Sequence, residues 1–180
     1  MSYLQIRDIV SGINQGGMLM EFGVYFGVSF WEICACVEPR HAYGFDSFWG
    51  LPEDWHQGGL NDGAALKGTY SLYGQLPPKP RNGEYVVGYV QETLEPFLVT
   101  HTKPVDFVHF DMNIGSATSY ALKLLEPRVQ DGTVFLFDDI YNHISDQEKA
   151  SFDEFLGYSG IKAEQFAQRH DRSAAFRLKR

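Results

Sequence analysis

The sequence lacks any long apolar run. No stretch approaches the ~20 residues that a helix needs to cross a bilayer, so no membrane span and no membrane partner are expected. Positive charge is scarce as well: 15 Lys and Arg stand against 23 Asp and Glu, a net charge of −8 over 180 residues. Phosphate backbones are bound by clustered Lys and Arg, so a nucleic-acid partner is not expected. Only Arg169 to Arg180 is locally basic, and it reads as a solvated strand face. Cysteine is limited to Cys34 and Cys36. Two apart on an expected helix, they point in different directions, which argues against a disulfide or a metal pair and for small apolar packing residues. The start, Met1-Ser-Tyr-Leu-Gln-Ile-Arg7, has no basic region followed by an apolar stretch, so no signal peptide is expected and the cytoplasm is the default location. Internal repeats and linkers are absent, so one domain is expected. With 44% hydrophobic residues, 180 residues suffice for a substantial core.

What is present alternates between strand and helix patterns. Ile6, Ile9, Val10 and Ile13 form a helical stripe within Met1 to Asn14, ended by Gly16-Gly17. Strands are expected at Met18–Phe22, Ala42–Phe45, Tyr85–Val90, Val105–Phe110 and Thr133–Phe137, the last after a turn at Asp131-Gly132. Helices are expected at Val28–Val37, Thr93–Val99, Ser116–Leu125 and Ser145–Leu156, the last with Gly157 just past its end. Lys162–Gln168 and Ala174–Leu178, joined through His170-Asp171-Arg172, predict a closing hairpin. This order predicts an α/β fold: a mostly parallel sheet with a C-terminal antiparallel hairpin and helices on both faces. Ser47 to Asn82 is a long irregular segment rich in Gly, Pro and aromatics, of the kind that is usually functional.

Ligands of open α/β sheets bind beyond the carboxyl ends of the strands, and the acidic and glycine positions of this sequence fall there. Glu21-Phe-Gly23-Val-Tyr25-Phe-Gly27 sits where the first strand turns into a helix. Glycines allow close backbone approach, the helix N-terminus offers N–H groups to a carboxylate, and Ser29 adds a hydroxyl. The Glu-x-Gly-x-x-x-Gly spacing differs from the Gly-x-Gly-x-x-Gly of dinucleotide enzymes. Asp46 ends the second strand about 20 residues on, where a carboxylate accepts ribose hydroxyls. Asp111 and the pair Asp138-Asp139 end the fourth and fifth strands. Strands lie roughly 5 Å apart, so the three carboxylates should converge, and such a cluster repels itself unless protonated or neutralised by a cation. Hard oxygen donors suit Mg2+ better than zinc.

Leu19-Met-Glu-Phe-Gly-Val-Tyr-Phe-Gly-Val-Ser29 and Tyr43-Gly-Phe-Asp-Ser-Phe-Trp-Gly-Leu-Pro-Glu-Asp-Trp55 resemble the first two cofactor motifs of the macrocin O-methyltransferase family, which includes antibiotic-sugar methyltransferases. The resemblance continues through Lys67-Gly-Thr-Tyr70, Gly88-Tyr-Val-Gln-Glu-Thr-Leu94, Val108-His-Phe-Asp111 and Phe135-Leu-Phe-Asp-Asp139. It implies a Rossmann-like class I S-adenosylmethionine-dependent methyltransferase. Glu21, Gly23 and Gly27 would shape the methionine pocket, with Tyr25 and Ser29 beside them. Asp46 would hold the ribose, and Ser47, Gly88 and Tyr89 would lie near the adenine. The resemblance also implies Mg2+ on Asp111, Asp138 and Asp139, with Asp111 serving as ligand and base together. The acceptor would be a small hydroxylated molecule, a natural-product sugar, a vicinal diol or a phenol. Gly-Val-Tyr-x-Gly-x-Ser is similar to the catechol and caffeoyl-CoA O-methyltransferases as well.

His143, four residues beyond Asp139, is a second candidate base. His109, one step deeper than Asp111 on the same strand face, reads as core, and His56 as a loop residue. Phe48, Trp49, Trp55 and Tyr70 suggest an aromatic mouth, or packing that holds the loop down. The sequence departs from the family at Asp111-Met-Asn113-Ile-Gly-Ser116, where relatives carry Asp-x-Asp and a Tyr-Glu pair. That departure keeps a second class of function in play, a cofactor-binding interaction domain without catalysis. A nucleotide-sugar or dinucleotide enzyme is a third. The pocket could stand open, be completed by a second subunit of a homodimer, or be covered by the loop from Trp49 to Tyr73.

Overall fold

The computed structural model describes residues 4–13, 15–55, 65–143 and 145–180; His56 lies outside them. Seven strands form one sheet in the order β3-β2-β1-β4-β5-β7-β6. They are β1 (Met18–Phe22), β2 (Ala42–Asp46), β3 (Gly83–Val87), β4 (Val105–Phe110), β5 (Val129–Phe137), β6 (Lys162–Ala167) and β7 (Ala174–Lys179). β1 to β5 pair in parallel, and β7 runs antiparallel between β5 and β6. The expected mostly parallel sheet with a closing hairpin is therefore the fold observed. The chain switches direction between β1 and β4, which puts the ligand crevice of such a sheet over the ends of β1, β2, β4 and β5.

Helices α1 (Ile6–Val10), α2 (Val28–Val37), α3 (Val90–Thr100), α4 (Gly115–Leu125) and α5 (Gln147–Ser159) cover both faces. β1 and β4 are buried along their whole length, which is why they read as apolar runs rather than as alternation. On one face α3, α4 and α5 bury Leu94, Leu122, Phe152 and Phe155 against Met20, Phe22, Phe110, Phe135 and Phe137. There the rings of Phe22 and Phe137 stack on Phe110 with centroids 5.6 and 4.6 Å apart. On the other face α1 and α2 bury Ile6, Ile9, Phe30 and Ile33 against Leu19, Phe107 and Leu136. Each such side chain contributes about 1.5–3 kcal/mol on leaving water.

Several boundaries differ from the sequence pattern. The N-terminal stripe is buried as expected, but only Ile6–Val10 is helical. β3 begins at Gly83 and ends before Gly88, and Val90 opens α3 instead of closing a strand. Asp131-Gly132 is not a turn ahead of β5 but lies within it, where the pairing with β4 shifts register. Gly132 has φ +89° there, the left-handed residue that a strand bulge requires. α5 continues through Gly157 to Ser159 and is ended by Gly160.

Cys34 and Cys36 are both free thiols, and Cys34 is buried. Burial, with a smaller contribution from Glu21, pushes the Cys34 thiol up to about 12. Only the thiolate reacts, so a disulfide reagent at pH 8 should leave Cys34 unmodified in folded protein and label both thiols in denaturant. Native-state modification of Cys34, found by peptide mapping, would contradict this packing.

Candidate active site

The β1–α2 turn forms because two strand ends meet its backbone. The Gly23 N–H donates to the Phe45 carbonyl at 2.9 Å. Gly23 has φ +88°, and a Cβ there would lie 2.0 Å from the Asp111 carbonyl oxygen. No other residue fits, so the glycine allows β1 and β4 to close together directly beneath the crevice.

Asp46, the last residue of β2, holds this turn from the side. Its Oδ2 accepts the N–H groups of Val24 and Tyr25, each at 2.8 Å, and its Oδ1 accepts the Phe48 N–H at 2.7 Å. An ionised carboxylate has about four acceptor positions, so little capacity is left for a ribose. Besides the ribose contact expected of it, Asp46 is thus the clamp that joins the glycine turn to the loop after β2.

That loop is ordered by its own backbone on either side of residues 56–64. Leu51 N–H donates to Thr69 O, Gly68 N–H to Leu51 O, Trp55 N–H to Ala65 O and Leu72 N–H to Phe48 O. It lays Leu51, Pro52, Trp55 and Tyr70 along one wall of an open cavity of about 1060 Å3, mouth included. Gly23, Tyr25, Asp46, Ser47, Gly88 and Tyr89 line the same cavity, as do Asp111, Asp138 and Asp139. Phe48 is instead fully buried, and Trp49 is exposed.

Four predicted positions lie off this wall. Gly27 is the N-cap of α2 and neither it nor Ser29 lines the cavity. His143 is exposed and borders a separate shallow cavity with His170, Asp171 and Arg172. Glu21 is wholly buried behind the wall, where its Oε1 pairs with His109 Nδ1 at 2.8 Å.

One oxygen each of Asp111, Asp138 and Asp139 lies within 4.8 Å of the others, as the strand spacing predicts. Their surroundings are charged on all sides. His109, a fully buried residue as the sequence reading expected, sits beneath them with Nε2 3.7 Å from Asp138 Oδ1. Burial lowers its pKa, but the Asp138 carboxylate 3.7 Å away and the hydrogen-bonded Glu21 carboxylate outweigh that and raise it to about 10. His109 is thus an imidazolium between two carboxylates. Burial opposes ionisation of Asp138, yet His109, Arg169 and His170 hold its carboxyl well below the usual range. Asp111 is driven the other way, first by burial and then by the negative charges of Asp138, Glu21 and Asp139. Asp139 is raised by burial and by Asp138, against the opposing pull of Arg172.

Sequence reasoning missed Glu148 and the hairpin cations. Glu148, on α5, is buried; its Oε2 accepts the Asp139 N–H at 3.2 Å, and its Oε1 has no partner among the described residues. Burial, Asp111 and Asp139 raise its pKa well above the ordinary value. Arg169 donates to Asp138 Oδ1 at 2.8 Å, and Arg172 Nε lies 3.4 Å from Asp139 Oδ1. The expectation that the basic segment from Arg169 onward forms a solvated face therefore fails at these two residues. Only the antiparallel return of β7 beside β5 brings them over the carboxylates. An acid three residues after the expected helix start at Ser145 was the one available signal for Glu148.

The departure at Asn113-Ile-Gly-Ser116 has a structural account. Asn113 has φ +65° and lines the cavity. The first turn of α4 that follows is held from α5, the Gly115 N–H donating to Gln147 Oε1 at 2.8 Å. No described helix is long and apolar enough to cross a membrane.

Comparison with solved structures finds the same architecture. CalS11, a calicheamicin methyltransferase, superposes with a TM-score of 0.73 at 21% identity, covering 96% of this chain and 75% of its own. The O-methyltransferase NovP gives 0.68 at 20%, covering 97% and 78%. An O-methyltransferase from Bacillus cereus in complex with SAH gives 0.61 at 12%, covering 97% and 79%. No curated protein sequence matches. The methyltransferase-domain family matches over residues 20–140, a span from β1 through the Asp138-Asp139 pair, and the chain belongs to that family as a class I S-adenosylmethionine-dependent methyltransferase.

Proposed function

We propose that this chain is a Mg2+-assisted O-methyltransferase of the macrocin O-methyltransferase type. Its acceptor would be a small hydroxylated molecule, either a natural-product sugar or a vicinal diol or phenol. The observation that carries the proposal is the meeting of two sets of residues in one cavity. Gly23, Asp46, Gly88 and Tyr89 line the cavity together with Asp111, Asp138 and Asp139, one oxygen of each of which lies within 4.8 Å of the others. We take the chain to be one domain, working in the cytoplasm, alone or as a homodimer, without nucleic-acid partners. CalS11, a TDP-rhamnose 3'-O-methyltransferase, supports the sugar reading by analogy of fold, and NovP, an O-methyltransferase, supports methyl transfer to oxygen.

S-adenosylmethionine would lie along Gly23, Tyr25, Asp46, Ser47, Gly88 and Tyr89, and supplies the methyl group. Gly27 and Ser29 would act by setting the start of α2, and Glu21 from behind the wall. The donor set of Asp111, Asp138 and Asp139 is all hard oxygen, which fits Mg2+. Asp111, Asp138 and Asp139 would hold the ion, which when bound would supply a Lewis acid to lower the pKa of an acceptor hydroxyl. Asp111 is the base in this reading, because it lines the cavity and because burial and the neighbouring carboxylates raise its pKa, which favours proton acceptance. His143, exposed and bordering a different cavity, is the weaker candidate. Tyr70 and Trp55 give the acceptor an aromatic wall.

The test is calorimetric titration of S-adenosylhomocysteine, followed by methyl transfer from labelled S-adenosylmethionine to a panel of diols and sugars. Micromolar binding and turnover that stops in EDTA are the expected results. Binding without turnover over the panel would favour the second reading, an interaction domain that has lost catalysis. What favours that reading is the engagement of Asp138 and Asp139 by arginines.

A further inference from the structure

The Asp138 and Asp139 carboxylates have two claimants. Asp138 Oδ1 accepts from Arg169 Nη1 at 2.8 Å and faces His170 Nε2 at 3.2 Å. Asp139 Oδ1 accepts from Asn142 Nδ2 at 3.0 Å and faces Arg172 Nε at 3.4 Å. The backbone carrying these cations is anchored. Buried Ser173 takes the N–H groups of Arg169 and His170 on its hydroxyl at 2.7 and 2.8 Å. The Tyr141 N–H, two residues past Asp139, donates to the Arg172 carbonyl at 2.8 Å. The side chains are freer: those of Arg169, His170 and Arg172 are 29%, 35% and 45% exposed. They can swing into water while the hairpin stays in place. Arg172 also lines the active-site cavity, where it is the one cationic side chain among the described lining residues.

We infer that Arg169 and Arg172 tune the carboxylate cluster against divalent cations, competing with a metal ion for Asp138 and Asp139 and so setting its affinity. The inference rests on the metal reading above. A guanidinium a few ångströms from a divalent ion repels it, and the repulsion is stronger in a partly buried site than in bulk water. A pair of arginines on two carboxylates nearly balances them, so an arriving ion gains less than it would from bare acids. The alternative role for such arginines is to orient ligand carboxylates, where their loss typically weakens metal binding 10–100-fold. The two roles predict opposite signs.

The experiment measures Mn2+ binding by calorimetry for the parent, Arg169→Gln, Arg172→Gln and the double variant, with S-adenosylhomocysteine affinity as a check on folding. Gln keeps an N–H donor while removing the charge. Each single variant should bind Mn2+ about three- to thirtyfold tighter, and the double variant tighter still. In EDTA the Gln variants should melt lower than the parent, and Mn2+ should raise their Tm further than it raises the parental one. Equal or weaker Mn2+ binding by Gln variants that bind S-adenosylhomocysteine normally would overturn the inference and leave the metal reading intact. Absence of Mn2+ binding in the parent and every variant would overturn both. Should a Gln variant fail to fold, Arg169→Lys and Arg172→Lys decide: parental Mn2+ affinity is expected, and a tenfold loss would assign the planar fork an orienting role.

Discussion

Asp46→Ala should reduce S-adenosylhomocysteine affinity at least a hundredfold in a calorimetric titration, and should lower Tm as well. The two effects have one origin. The carboxylate accepts three backbone N–H groups, from Val24, Tyr25 and Phe48, and so fixes the cavity wall before any ligand arrives. Truncation leaves those donors without an acceptor, at about 1–3 kcal/mol for a buried one, and also removes the charge placed to meet a ribose. Asp46→Asn separates the contributions. Its single carbonyl oxygen can keep part of the clamp, so it should recover most of the Tm while still binding the ligand at least tenfold more weakly than the parent. If Asp46→Ala melts lower but binds S-adenosylhomocysteine like the parent, Asp46 is a clamp only.

Asp111→Asn should lose about 10²–10⁴ in turnover, the range for a general base, while its Tm holds or rises. The direction of the Tm change follows from the unliganded electrostatics. Burial and the charges of Asp138, Glu21 and Asp139 push the Asp111 carboxyl well up, so an uncharged amide of the same shape replaces it at little cost to the unliganded fold. A site whose groups repel one another gains stability when one of them is neutralised. S-adenosylhomocysteine affinity should stay within about threefold of the parent, because the Asp111 side chain belongs to the carboxylate cluster rather than to the residues expected to hold the cofactor. Parental turnover in Asp111→Asn would transfer the base role to another group and remove the main support for metal-assisted chemistry.

His109 links β1 to the carboxylate cluster. It pairs with Glu21, the residue before the last of β1, and faces Asp138 beyond the end of β5. His109→Phe should therefore destabilise the fold, because it leaves Glu21 buried without a cation; breaking such a pair costs about 3–5 kcal/mol. A denaturant midpoint equal to the parental one would show that Glu21 is accommodated without it.

Much of this could be read before any coordinates. Apolar runs at β1 and β4 announced strands buried on both faces, and the alternation of elements announced a parallel sheet. An acid or glycine after each of four strands located the crevice, because strand direction alone places all those ends on one edge. Period and position are local properties, so the sequence by itself determined the sheet, the cavity edge and the convergence of Asp111, Asp138 and Asp139. Partners are not local. Arg169 and Arg172 meet Asp138 and Asp139 across about thirty positions only because β7 returns antiparallel to β5. Glu148 enters the carboxylate cluster because α5 packs beneath Asp139, and Glu21 turns from cavity lining to the partner of His109 because strand register sets them side by side. Asp46 shows the same division: its place at the end of β2 was legible, but its grip on three backbone N–H groups depends on two loops closing around it. Strand ends follow from the pattern of residues along the chain, whereas the charge balance at those ends was decided only by the tertiary packing of segments distant in sequence.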